Sequence, residues 1–233
     1  TQLDSHTGTR ISEVRARRCM GEDLWERLGG ARVLECGCGA GRFTEALLGR
    51  GANVTSVDIT EAVEANQMNF PQGERHRIAQ ADLLQLPLPR RSFDVVFCLG
   101  VVQHTPVPEQ TIALLYEHVK PGGWLVIDHY AYRLSWFLGL GPLWRRALRR
   151  LPPAKGLAVT ESLVRVLYPV HSRFRRYRSL LNRVSPVHTY FDIFPELAEE
   201  HQREWALLDT HDAMTDWYKH FRTRGQVERV LGT

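Results

Sequence analysis

Three acids stand where short strand-like runs end: Glu35 after ARVL, Asp58 after NVTSV, and Asp82 after RHRIAQA. Behind the first, glycines occupy alternate positions, Gly37, Gly39 and Gly41, and a helical pattern then begins. Glycine adopts backbone geometry that side chains resist and lets a ligand lie against the main chain. A carboxylate closing the next strand accepts hydrogen bonds from both hydroxyls of a ribose, and Asp58 follows Gly41 by 17 residues. The Glu-x-Gly-x-Gly-x-Gly spacing differs from the G-x-G-x-x-G run of dinucleotide sites, which disfavours a nicotinamide dehydrogenase. A tight strand-to-helix turn with no ligand is the plainer reading of the glycines alone. The phased Asp58 and Asp82 weigh against it.

Such acids need a scaffold that brings strand ends together. ARVLEC, NVTSVD, RHRIAQAD, FDVVFCLG and WLVIDHY read as five strands. Helical patterns lie between them: RFTEALLGRG with a Gly51 stop, TEAVEANQMNF with Thr60 as N-cap, and EQTIALLYEHV opened by Pro106 and Pro108. A helix is expected near 9–28 and a turn at Lys120–Gly123. Alternating strands and helices predict a Rossmann-like, doubly wound, mostly parallel α/β sheet with helices on both faces. In such a sheet ligands bind beyond the carboxyl ends of the strands. After Tyr130 the rhythm changes to aromatic and basic helical segments. The expected organisation is a core with an N-terminal helix over 1–130, a helical basic insertion over 131–220, and a return to the core with a C-terminal helix over 221–233.

VLECGCGAGRFTEAL, VTSVDIT and the run from AQADLLQLPLP to WLVIDHY together resemble the motifs of class I S-adenosylmethionine-dependent methyltransferases of the small-molecule type. The resemblance covers about residues 30–130. It implies that S-adenosylmethionine is the cofactor. Gly37, Gly39 and Gly41 would cradle its methionine end, with Glu35 supporting that loop and the amino group. Asp58 would take the ribose hydroxyls, Ile59 would pack on the adenine, and Asp82 and Leu83 would meet its amine and ring. Leu99 and Gly100 would face the methionine. Relatives close the sheet with two further strands. This chain ends at VERVLGT, where the sixth would begin, so the final strands are expected to be missing or the edge built differently.

A sulfonium donor is already activated, so the protein aligns a nucleophile and excludes water, and a hydroxyl acceptor benefits from a general base. His104, in GVVQHTP, and His129 are the candidate bases because both follow strands at the ligand end. Asp128 and Tyr130 beside His129 are candidate substrate contacts. The expected reaction is methyl transfer to a small-molecule acceptor, foremost to oxygen of a secondary metabolite, sugar or lipid-like compound. A cofactor-binding scaffold without catalysis is the competing class.

Charge is unevenly spread. Net charge is +4, yet Arg133 to Arg183 holds twelve Lys or Arg and one acid, Glu161. Three readings apply to this block. It is a helical lid with Trp136, Phe137, Trp144, Leu148 and Leu151 packed on the body. Or its arginines, Arg145 and Arg149 among them, bind an anionic group of the substrate. Or it rests on anionic lipid as a peripheral contact. Nucleic acid is disfavoured, since the remaining chain carries −7 and the Asn/Asp-Pro-Pro-aromatic run associated with methylation of base amino groups is absent. No apolar run is long enough to cross a bilayer. Four irregularly spaced cysteines (Cys19, Cys36, Cys38, Cys98) fit neither a disulfide framework nor a metal site, and imply a cytoplasmic chain of reduced thiols. The chain begins without Met and lacks a signal-peptide layout, so it is read as a fragment or processed form. Its oligomeric state is not legible.

Overall fold

The computed structural model describes residues 2–132 and 139–232. Trp136 and Phe137 lie outside the described residues. The chain divides into two compact units, residues 1–131 with 218–233, and residues 132–217.

In the first unit the five strands are β1 Arg32–Cys36, β2 Asn53–Asp58, β3 His76–Gln80, β4 Phe93–Cys98 and β5 Val119–Ile127. They form one sheet in the order β3-β2-β1-β4-β5, with every pairing parallel. The order reverses between β1 and β4, where loops from adjacent strands diverge and leave a crevice. The helices of this unit are α1 Asp4–Thr7, α2 Ile11–Met20, α3 Glu22–Glu26, α4 Thr44–Gly49, α5 Ala62–Asn69, α6 Pro108–Glu117 and, after the second unit, α11 Arg224–Leu231.

Strand side chains alternate between faces, so β1 and β4 supply two cores. Val33, Val95 and Phe97 pack with Met20, Trp25 and Leu28 of the α2–α3 region and Leu47 of α4. Leu34, Cys36, Val96 and Cys98 pack with Ile112 and Leu115 of α6, joined by Val227 and Val230 of α11. Burial on both faces explains why β1 and β4 read as nearly continuous apolar runs.

Three local expectations are corrected. The helix near 9–28 is two helices, broken at Gly21, whose φ of 80° departs from helical geometry. Thr60 is not the N-cap of α5; Glu61 holds that position, although the Ala62 N–H still donates to Thr60 Oγ1 at 3.3 Å. The turn at Lys120–Gly123 lies inside β5 as an irregularity. Phe93 pairs with Val119 and Val95 with Trp124, so the intervening residues bulge around Gly122 at φ 76°.

The second unit is helical: α7 Gly141–Leu148, α8 Pro153–Arg173, α9 Arg178–Val184 and α10 Glu199–Thr215. Pro153 opens α8, where a missing N–H costs nothing. Gly156, Thr160, Val164, Tyr168 and His171 of α8 are buried at helical spacing. Val164 and Tyr168 pack with Ala206 of α10 and with Phe191. Trp144, Leu148 and Leu151 were expected to pack on the body. Within their own unit they pack with Ala213 and Met214 of α10.

Candidate active site

Glu35, Asp58, Leu99–Gly100 and Asp128 all lie at or just past the carboxyl ends of parallel strands, which the register sets side by side. Glu35 is buried in β1, 1% exposed. Its Oε2 accepts from Thr44 Oγ1 at 2.6 Å and from Ser56 Oγ at 2.7 Å. Its Oε1 is buried with no partner. Burial raises the Glu35 carboxyl to about 7, against the two hydroxyl donors, which favour the charged form.

The glycine loop is tied to β2. The Gly37 and Cys38 N–H groups donate to the Val57 carbonyl at 2.8 and 3.1 Å. The three glycines are required for different reasons. All have positive φ, at 75°, 50° and 104°. A Cβ at Gly37 would stand 2.1 Å from Val101 Cγ2, and one at Gly41 2.6 Å from the Phe70 ring, whereas a Cβ at Gly39 meets nothing within 4 Å. The three glycines thus have different surroundings. Gly37 and Gly41 are glycines because Val101 and Phe70 press on them, and Gly39 alone faces open space.

Asp58 organises the next loop. Its Oδ2 accepts the Gly39 N–H at 2.8 Å, and its Oδ1 accepts both the N–H and the hydroxyl of Thr60, at 2.9 and 2.7 Å. A carboxylate offers about four acceptor positions, so hydroxyls of a ligand still find lone pairs. Ile59 is exposed (62%), and Asp82 is exposed and caps a short 3-10 turn by accepting the Leu84 N–H. Leu83 is buried in the core beside Val57. Leu99 also lies in the core, so at that position only its main chain is available to a ligand.

The loops after β4 and β5 meet the segment Tyr218–Arg222. Asp128 accepts the Gly100 N–H at 2.6 Å and pairs with Arg15 of α2 at 2.5 Å, so it braces two elements. Two backbone bonds seat the returning segment, His220 N–H to Gln103 carbonyl and Arg222 N–H to Tyr130 carbonyl, both 3.0 Å. Arg222 also grips Glu109 with two nitrogens, at 2.5 and 3.1 Å. The Tyr130 ring meets His104 edge-on at 5.4 Å, Phe221 at 5.9 Å and the Lys219 ammonium at 5.3 Å. His104 Nδ1 lies 3.2 Å from the Tyr218 carbonyl. His129 Nδ1 lies 3.2 Å from the Tyr130 carbonyl, an acceptor, which fixes the proton on Nδ1. His129 Nε2 is then a lone pair, buried and without a partner. Burial lowers the His129 pKa and keeps the ring neutral near pH 7.

Sequence reasoning missed Gln103 and His220. Gln103 is 2% exposed with an unpartnered Oε1, and His220 has a buried, unpartnered Nε2. His220 sits 91 residues after His129, and no spacing rule links them. Arg145 and Arg149 belong to the helical unit. Arg145 donates to the Ala213 carbonyl at 2.9 Å and to the Asp216 carbonyl, so its guanidinium is a cap on the end of α10 rather than an open fork for an anion. Final-turn carbonyls lack helical partners, which gives such a cation its place. Arg149 lies over the Trp217 ring at 5.6 Å.

An open parallel sheet with acids on successive strand ends and a glycine turn between them defines a nucleoside-binding α/β domain. Residues 34–127 match a family described as a methyltransferase domain. The chain is 39% identical over 100 residues to a ubiquinone biosynthesis O-methyltransferase of Pseudomonas entomophila (strain L48), spanning 41% of this chain and 43% of that protein. It is 36% identical over 117 residues to the ubiquinone biosynthesis O-methyltransferase of Pseudomonas putida (strain GB-1), spanning 48% and 50%. The chain thus covers about half the length of the curated relatives it matches. Among solved structures, the YcgJ protein of Bacillus subtilis aligns with 24% identity and a TM-score of 0.49 over 58% of this chain and 59% of that one. Residues 34–127 thus match a methyltransferase domain, and their motifs are similar to those of the class I type, whose cofactor is S-adenosylmethionine.

The residues present fit that cofactor. The buried, unpartnered Glu35 Oε1 has acceptor capacity for an ammonium, and Asp58 has acceptor capacity for hydroxyls. When bound, the cofactor supplies an activated methyl on a sulfonium.

Proposed function

We propose that the chain transfers the methyl group of S-adenosylmethionine to an oxygen of a small molecule, with His129 Nε2 as the proton acceptor. The observation that carries this is the His129 ring: its Nδ1 proton is committed to the Tyr130 carbonyl, burial holds it neutral, and its second nitrogen is unengaged. That is the state a base needs before it takes a hydroxyl proton. His104 serves as wall rather than base, since its ring packs on Tyr130 and its Nδ1 faces the Tyr218 carbonyl. Gln103, Tyr130 and His220 contribute the rest of the acceptor surface, and Asp128 positions it by bracing Gly100. Glu35, Gly39 and Asp58 hold the cofactor, Ile59 and Asp82 flank its adenine, and Gly100 meets its methionine end through the main chain.

Oxygen as the methylated atom is supported by the relatives named O-methyltransferases, whose ubiquinone pathway also supports a lipid-like acceptor. The helical unit adds support for lipid. On α8, Val159, Val166 and Val170 are exposed on the face opposite the buried stripe, with Lys155 and Arg173 exposed on the same side. An apolar stripe bordered by cations suits a peripheral contact with anionic lipid. No described helix is long and apolar enough to cross a membrane.

The test is a panel of hydroxyl acceptors assayed with methyl-labelled cofactor, for the parent chain and His129→Asn. Turnover of the variant is expected to fall about 10²- to 10⁴-fold, with cofactor affinity measured by calorimetry unchanged. Undiminished turnover in His129→Asn would remove the base assignment. Labelling only of amines would remove the oxygen acceptor.

A further inference from the structure

A buried chain of polar groups leads away from Glu35 into the sheet. Ser56 of β2 stands between Glu35 Oε2, at 2.7 Å, and His76 Nε2 of β3, at 3.2 Å. His76 Nδ1 lies 2.8 Å from the Phe70 carbonyl. All three side chains are buried, His76 at 3% exposure and Ser56 fully. On the far side, Asn66 of α5 donates to Thr44 Oγ1 at 2.9 Å, so the Thr44 proton points to Glu35.

Proton counting restricts this chain to a few states. The Phe70 carbonyl accepts only, so His76 Nδ1 carries a proton. Ser56 has one proton and two neighbours. If Glu35 is neutral, its proton goes to Ser56 and the Ser56 proton goes to a bare His76 Nε2. If Glu35 is ionised, it takes the Ser56 proton, and His76 Nε2 must carry one of its own to meet the Ser56 lone pair. The two states hold the same number of protons. They interconvert when Glu35 Oε2 releases its proton to Ser56 Oγ as Ser56 Oγ releases its own to His76 Nε2. The outcome is a carboxylate and an imidazolium with no exchange with water.

We infer that His76, acting through Ser56, is a positioning residue that receives the Glu35 proton when the cationic amino group of the cofactor arrives. The inference rests on the S-adenosylmethionine site assigned above and extends it to a residue with no contact to the cofactor. A cation beside the carboxylate favours its charged form, and the relay supplies that form without a net proton cost. Other groups around the pair do not replace His76. Asp58 is the charged side chain acting on Glu35, and it opposes ionisation. Cys36 and Cys38 are buried thiols pushed far above their ordinary values. Burial lowers the His76 pKa, and the carbonyls of Phe70 and Pro71 facing the ring act against that, as the new carboxylate does.

The test is binding of S-adenosylhomocysteine, which keeps the amino acid end and undergoes no transfer. Calorimetry over about pH 5.5 to 7, in buffers of different ionisation enthalpy, should show a flat Kd and little proton release for the parent chain. In His76→Asn and in Ser56→Ala, Glu35 must lose its proton to water, so Kd should weaken up to about tenfold per pH unit below pH 7. A ring-nitrogen NMR signal should show His76 Nε2 bare in the free protein and protonated after saturation. A Kd profile in both variants that parallels the parent, or an Nε2 signal that stays bare, overturns the relay while leaving the cofactor site intact. Failure of S-adenosylhomocysteine to bind overturns both. Since the variants are compared by the slope of their pH profiles, a uniform loss of affinity from altered packing does not imitate the result.

Discussion

Replacing Gly37 by alanine tests why the glycine loop has its sequence. Two costs combine. At φ 75° an alanine sits in left-handed geometry, which costs roughly 1–2 kcal/mol relative to glycine. Its Cβ also stands 2.1 Å from Val101 Cγ2, an overlap that the loop must relieve, worth about 1–3 kcal/mol for overpacking. Gly37→Ala should therefore destabilise the chain by about 2–5 kcal/mol. Val101→Ala removes Cγ2 and leaves the Val101 Cβ at 3.1 Å, a tight but relievable contact. In that background Gly37→Ala should cost only the backbone penalty, about 1–2 kcal/mol. The double-mutant cycle predicts a compensating coupling of about 1–3 kcal/mol. Urea denaturation of all four proteins measures it, with the m-value checking that the transition stays two-state. If Gly37→Ala costs the same in both backgrounds, Val101 packing is not the reason for the glycine.

Two further outcomes follow from charge. Glu35 holds a proton in the folded chain between its ordinary value of 4.5 and about 7, where the unfolded chain does not. Its contribution to stability is thus fullest below pH 4.5 and declines as pH rises to 7, by on the order of 3 kcal/mol. Glu35→Gln removes this loss, so its stability relative to the parent should increase between pH 5 and 8; a constant difference in chemical denaturation would contradict the burial argument. The Arg222–Glu109 pair acts with the opposite sign, since the Arg222 hydrogen bonds lower the Glu109 pKa. Its stabilisation is present above the ordinary carboxylate value and is lost as pH falls through the lowered one. Because both side chains are partly exposed, Arg222→Met should cost only about 1 kcal/mol in denaturant unfolding at pH 7, and salt should shrink the difference.

The amino-acid sequence determined the sheet almost by itself. The strand FDVVFC is apolar at every position but Asp94 because both of its faces are covered, and that pattern is local. The acids and glycines at the strand ends were legible for the same reason: the fold places the end of each strand at one edge, so position in the chain implies position in space. What tertiary structure decided are relations between distant residues. Val101 makes Gly37 obligatory, Arg145 is committed to α10, and Ser56 and His76 stand behind Glu35. The placement of His220 and Gln103 beside the loop after β5 depends on the chain returning from the helical unit at Tyr218. Such meetings are set by packing across strands and helices, and a one-dimensional pattern carries periodicity and punctuation but no record of which side chains it brings face to face.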